Sequence, residues 1–277
     1  MTTALPLEAA APRPIGAVLR DWRQRRKLSQ LALALAADVS QRHLSFLESG
    51  RARPSREMVL RLATCLDLPL RERNQLLLAA GFAPYYPERS LEDPALGAAR
   101  AAVERVLTAH EPFPALAVDR HWTMVAANRV VGPLVAGASP ALLSPPVNVL
   151  RLSLHPDGLA PRIVNYVEWR AHLLQRLHQQ VAASGDPMLA ALHDELRGYP
   201  APRSGIRRSA AATSPSANVF VPLQLAVDGS VLSFLSTTTV FGTPVDVTLA
   251  ELALESFFPA DARTLEHLRG APADETS

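Results

Sequence analysis

The tightest constraint in this chain is a spacing. Ser29 and Ser40 each precede a short run with helical periodicity, and only Ala37-Asp38-Val39 separates the two runs. A serine hydroxyl in such a place accepts a hydrogen bond from an amide of the first helical turn that otherwise has no partner, so each serine marks a helix start. Three residues leave room for a turn and nothing more, and two helices joined so closely must cross steeply. The second helix ends at Gly50, where a residue without Cβ suits a left-handed stop. Val39 before the cap and Leu44 four residues after it are spaced as a hydrophobic staple.

The flanking sequence extends this pair to five helices, an all-α domain over residues 13–81. In the first helix Ile15, Val18, Leu19 and Trp22 recur at helical spacing, with Arg20, Arg23, Arg25, Arg26 and Lys27 between or after them. The second is expected to bury Leu31, Ala32, Leu35 and Ala36, and the third Leu44 and Leu47. Ser55 caps a fourth with Val59, Leu62, Ala63 and Leu66 inward, and a fifth over 70–80 is closed by Gly81. Residues 82–94, rich in Pro and aromatic side chains, read as a linker.

Charge separates the two halves. Residues 1–90 carry 14 basic and 8 acidic groups, net +6, whereas residues 91–277 carry 14 and 18, net −4. A basic module joined to an acidic one implies an anionic partner for the first and a different task for the second. No uninterrupted apolar run reaches the roughly 18 residues of a spanning helix. The start MTTALPLEAAAPRP lacks the pattern of a secretion signal, and the single cysteine, Cys65, cannot form an internal disulfide. A cytoplasmic location without membrane association is expected.

A steep helix pair on a basic module is the geometry with which proteins enter the DNA major groove, the N-terminus of the second helix leading. Gln41 and Arg42, in that first turn, suit bidentate contact with adenine and guanine edges. Ser45 and Phe46 also face outward if Leu44 and Leu47 face the core. Gln30 opens the preceding helix, where an amide can meet a phosphate, and Arg51 and Arg53 follow as phosphate ligands. A protein-interaction role for the same bundle, antitoxin-like or as a scaffold, is the alternative.

The segment VSQRHLSFLESGRARPS resembles the Xre/Cro-type helix-turn-helix regulators. The resemblance implies base contacts at Gln30, Gln41, Arg42 and Phe46, and backbone contacts at or near Gln30, His43, Arg51, Arg53 and Arg56; outward-facing Ser45 joins the candidate base readers and Ser40 the candidate phosphate contacts. It also implies an ion pair between Arg23 and Glu48, a double-stranded DNA operator and a homodimer. Asp38 stands where the turn often has Gly, so it must accept a left-handed backbone.

The remainder mixes periods. A helix over 96–110, a hairpin from 115–118 and 122–127, and helices over 163–183 and 187–196 precede a loop-like stretch, 199–217. Runs of period 2 at 219–227 and 230–240 flank Asp228-Gly229, a strong hairpin signal. A last run, 247–258, puts Ala250, Leu252, Leu254 and Phe258 on one face and Glu251 and Glu255 on the other as a strand, with a helix as the competing assignment. The sum is an α+β domain, an antiparallel five-stranded sheet with helices on one face. There is neither a Gly-rich phosphate loop nor a nucleophile elbow, so no catalytic residue, cofactor or enzymatic activity is expected. Glu168, His172 and His193-Asp194-Glu195 read as surface-helix side chains rather than metal ligands.

Several long segments, FPALAVDRHWTMVAANRV and FLSTTTVFGTPVDVTLAELALESFFPAD among them, resemble the ligand-binding domain of MmyB-like transcription regulators over about 95–268, within a domain placed at 95–270. The resemblance implies a PAS-like domain enclosing an apolar cavity for a small apolar ligand, a fatty acid being the suggested occupant. Candidate lining residues are Phe113, Trp122, Met124, Leu150, Leu154, Tyr166, Trp169 and Phe234. Arg151 or Arg170 is placed to meet a carboxylate, and His155 to stand at a mouth.

Overall fold

The computed structural model describes residues 13–202 and 220–270. They form two compact units. The first runs from residue 13 to Glu88 and takes in Val245–Val247; the second comprises Arg89–Pro244 and continues from Thr248 to residue 270.

The first unit contains five helices: α1 (Ile15–Arg25), α2 (Gln30–Ala36), α3 (Gln41–Glu48), α4 (Arg56–Cys65) and α5 (Leu70–Ala79). Ser29, Ser40 and Ser55 accept from the amides of Ala32, His43 and Met58, so all three central helices start on a serine cap. All five stop by one device. A residue with positive φ follows each helix: Lys27 (55°), Asp38 (52°), Gly50 (75°), Asp67 (48°) and Gly81 (84°). The next amide then reaches back five residues, as Leu28 does to the Arg23 carbonyl (3.0 Å), Val39 to Ala34 (2.9 Å) and Leu68 to Ala63 (3.0 Å). This double hydrogen bond satisfies helix-end carbonyls and turns the chain sharply. It also drops Leu28, Val39, Leu68 and Phe82 onto the core.

That core holds Leu19, Leu33, Leu44, Leu47, Val59, Leu62, Leu76 and Leu77, each fully buried. The expected face of α2 is wrong by about half a turn. Leu33, Ala34 and Ala37 are buried, while Leu31 and Leu35 are 51% and 72% exposed. The run LALALA is apolar on every side, so only the positions of α3 and α4 decide which leucine goes in. The start of the presumed linker is also anchored. Asn74, 7% exposed on α5, accepts from the amides of Tyr85 (2.9 Å) and Tyr86 (3.0 Å) and donates to the Tyr86 carbonyl (2.7 Å).

The second unit opens with a 3₁₀ turn (Pro94–Leu96) and α6 (Gly97–Ala109), then β1 (Ala115–Val118) and β2 (Met124–Ala127). Short helices α7 (Val131–Val135), α8 (Pro140–Leu143) and α9 (Val149–Leu154) follow, then the longer α10 (Tyr166–Ser184) and α11 (Pro187–Gly198). The described residues end with β3 (Leu223–Val227), β4 (Ser230–Val240), α12 (Val247–Ala250), β5 (Ala253–Pro259) and α13 (Ala262–Gly270). From residue 203 onward, the loop-like stretch 199–217 lies outside the described residues.

The five strands make one antiparallel sheet in the order β2-β1-β5-β4-β3. Asp228 and Gly229 both take positive φ, 47° and 75°, the mirror-image turn that matches strand twist. Trp122 also turns left-handed (φ 66°), which is why β2 begins at Met124 rather than at residue 122.

Helices cover both faces of the sheet, a correction to the one-faced arrangement. Alternate residues of β1 point opposite ways. Ala115 and Ala117 pack with Val103 and Leu107 of α6, and Leu116 and Val118 pack with α9, α10 and α11. The run 247–258 splits: one turn of helix, then strand from Ala253. Within that strand Glu255 is 4% exposed and Phe258 39%, the reverse of the expected facing. The reversal comes from a basic partner on the opposite wall, described below.

Candidate functional site

The outer side of α3 carries the polar tip. Gln41 and Arg42 are exposed, Ser45 and Phe46 are half-buried, and Leu44, Leu47 and Glu48 are buried. Positions 41, 42, 45 and 46 share one face of a 3.6-residue helix, so these four side chains form one patch. Phe46 organises it. The Arg42 guanidinium stands 5.4 Å from its ring centroid and that of Arg51 6.0 Å. Arg51 gets there because Gly50 turns left-handed and the Arg51 amide binds back to the Phe46 carbonyl at 2.8 Å. Arg53 and Arg56 are exposed beyond, Arg56 lying 5.3 Å over the Tyr85 ring. His43 is half-buried, and the Ser40 hydroxyl is engaged in capping α3.

The patch is fixed from behind. The Glu48 side chain is fully buried at the C-terminal end of α3, where the helix dipole disfavours a carboxylate. It accepts from Arg23 Nε (2.6 Å) and Nη2 (3.0 Å) and from Gln30 Nε2 (2.8 Å), so α1, α2 and α3 meet at one charge. Burial pushes the Glu48 pKa up, but the Arg23 and Gln30 hydrogen bonds outweigh it and hold it below the usual carboxylate range. The Gln30 amide nitrogen is therefore directed at Glu48 rather than at solvent. Gly16 lets α1 approach: a Cβ there would stand 2.5 Å from the Leu47 carbonyl oxygen.

In the second unit a cavity of about 110 Å3 lies between the sheet and the helices. Trp122, Met124, Leu150, Trp169 and Phe234 line it, with Leu116, Leu173, Leu225 and Phe257. Six other candidates lie elsewhere. Leu154 is buried in the core and Tyr166 donates to its carbonyl, while Phe113 packs with His110 and Phe258. Arg151 is bidentate with Glu195 (2.8 and 2.7 Å), and Arg170 binds the Leu196 and Arg197 carbonyls at the end of α11. His155 sits against the edge of Tyr199. Each charged group found a nearer partner than the cavity, which corrects the expected carboxylate contacts.

The guanidinium in the lining is that of Arg176, which the sequence reading missed. Its Nη2 donates to Glu255 Oε1 and to Thr238 Oγ1, both at 2.6 Å, and its Nη1 donates to Glu255 Oε2 at 3.1 Å. The same group lies 4.5 Å from the Trp122 ring centroid. A signal was available: Trp169, Leu173 and Arg176 recur at helical spacing, placing a charge on the apolar stripe of α10.

A helix-turn-helix bundle with an exposed polar reading tip, together with a sheet domain enclosing an apolar cavity, defines a DNA-binding transcription regulator. The chain belongs to the MmyB-like transcription regulators. The model of the MmyB-like transcription regulator ligand binding domain matches residues 99–270, and a helix-turn-helix model matches residues 19–73. No curated protein matches the chain. Among solved structures, the chain is similar to the restriction-modification controller protein C.AhdI from Aeromonas hydrophila. The two are 34% identical over 21% of this chain and 89% of that one, with a TM-score of 0.21. It is also similar to an RNA-binding Light-Oxygen-Voltage receptor, 14% identical over 98% of this chain and 70% of that one, with a TM-score of 0.25. Among the described residues no helix is long and apolar enough to cross a membrane.

Proposed function

We propose that the protein is a cytoplasmic one-component bacterial regulator that reads operator DNA with the tip of α3 and adjusts that reading to a small apolar ligand. Gln41 and Arg42 contact base edges, Ser45 and Phe46 adjoin them, and Gln30 supports them from α2. Ser40, His43, Arg51, Arg53 and Arg56 contact phosphates. A homodimer places two such tips about one helical turn apart on the duplex. The observation that carries this reading is the exposed Gln41–Arg42 turn, held in place by the buried Arg23–Glu48 pair.

The ligand part rests on the cavity. Its lining is apolar apart from a few groups, among them Ser153, Ser236, Arg176 and Glu255. An engineered apolar cavity of roughly 150 Å3 holds benzene, so a cavity of about 110 Å3 accepts a molecule of that order, and a long fatty acid requires the walls to part. For ligand to regulate, its affinity must differ between the DNA-competent state and the other.

Gel-shift titrations over a range of salt test the DNA part. Arg42→Ala should relax specificity at one base position by about 1–3 kcal/mol, and Arg53→Ala should weaken all sequences alike and lower the salt dependence. Equal, salt-insensitive binding by the wild type and both variants contradicts it.

A further inference from the structure

The cavity's polar end narrows the ligand class, an inference that rests on the ligand-sensing reading above. The charge there is already balanced. Arg176 and Glu255 meet through two hydrogen bonds, at 2.6 and 3.1 Å, and Thr238 Oγ1 donates to Glu255 Oε1 at 2.9 Å while accepting from Arg176. The Glu255 side chain is 5% exposed, and Arg176, half-buried, lies against the Trp122 ring. The other guanidinium candidates, Arg151 and Arg170, are bound elsewhere.

We infer that the cavity selects an uncharged apolar molecule carrying a hydroxyl or similar donor–acceptor group, and discriminates against carboxylates of the same chain length. A carboxylate entering beside Arg176 makes one guanidinium serve two carboxylates, leaving a net negative charge against leucine, tryptophan and phenylalanine side chains. Burying an uncompensated charge is strongly unfavourable. A hydroxyl adds no charge. It can donate to a Glu255 oxygen and accept from the guanidinium, and Ser153 and Ser236 offer hydroxyls that rotate to suit it. Size agrees, since about 110 Å3 is on the scale of a six-carbon chain or a single ring rather than a long acyl tail.

The test uses the full-length protein and a matched pair, 1-hexanol and hexanoate, at neutral pH. Trp122 and Trp169, two of the chain's three tryptophans, line the cavity, so intrinsic fluorescence reports occupancy. Hexanol is expected to bind at least tenfold more tightly than hexanoate. In Glu255→Gln, which leaves Arg176 without its counter-charge, hexanoate should gain at least tenfold and close the gap. The wild-type comparison can overturn the inference even if that variant does not fold. Hexanoate binding as tightly as hexanol in the wild type overturns the inference and leaves the ligand-sensing reading standing. Binding of neither, up to their solubility, overturns both.

Discussion

Arg176 of α10 and Glu255 of β5 are joined by a two-point ion pair within the wall of an otherwise apolar cavity, 79 residues apart in sequence. Removing Glu255 leaves a half-buried Arg176 without its counter-charge, and removing Arg176 leaves a nearly dry Glu255. Glu255→Ala is expected to destabilise the sheet domain by about 3 kcal/mol, whereas Arg176→Met with Glu255→Leu recovers most of that loss. Urea unfolding followed by tryptophan fluorescence distinguishes the two. Equal stability of the single and double variants would show that the pair is not coupled.

Glu48 makes the helical domain sensitive to acid. Its folded-state pKa lies below the unfolded value of roughly 4.3, so its contribution is complete above that value and is lost as pH falls through the folded pKa. At pH 7 Glu48→Gln should be less stable by about 2 kcal/mol, and the difference should shrink as pH falls from 5 to 3. Thermal unfolding of both proteins across that range checks it; a gap that widens on acidification contradicts the account.

Gly16 controls how closely α1 approaches the end of α3. A methyl group there would meet the Leu47 and Glu48 carbonyl oxygens at 2.5 and 2.6 Å, both backbone atoms that cannot swing aside. Gly16→Ala should therefore cost about 1–3 kcal/mol although alanine is the better helix former. It should also weaken DNA binding by moving α3. A rise in melting temperature would refute this.

Lys27 takes a φ of 55° at the end of α1, a conformation that is strained for a side chain with a Cβ. Lys27→Gly removes about 1 kcal/mol of strain and loses part of it to the greater freedom of the unfolded chain. A net gain of about 0.5 kcal/mol, read by chemical denaturation, is the expected outcome.

The legible parts of the sequence were those fixed by local chemistry. Ser29, Ser40 and Ser55 cap helices, Gly50, Gly81 and Asp38 turn left-handed, and Asp228-Gly229 makes a hairpin, all through contacts within six residues. The failures came where distant elements decide. The α2 run LALALA gives no periodic cue to its buried face, and α3 and α4 choose Leu33 over Leu31 and Leu35. Glu255 looked like a surface charge because its partner lies on a helix far away in sequence. Arg151 and Arg170 looked like ligand contacts until Glu195 and the end of α11 took them.

Whether the tip of α3 reads bases decides the function of the helical unit. Selection from a random duplex library, run in parallel with wild type and Arg42→Ala, measures this directly. The wild type should enrich a defined motif, and the variant should lose preference at one position while keeping the rest, a change of about 1–3 kcal/mol there. Enrichment of no motif, or of an identical motif by both proteins, would contradict it.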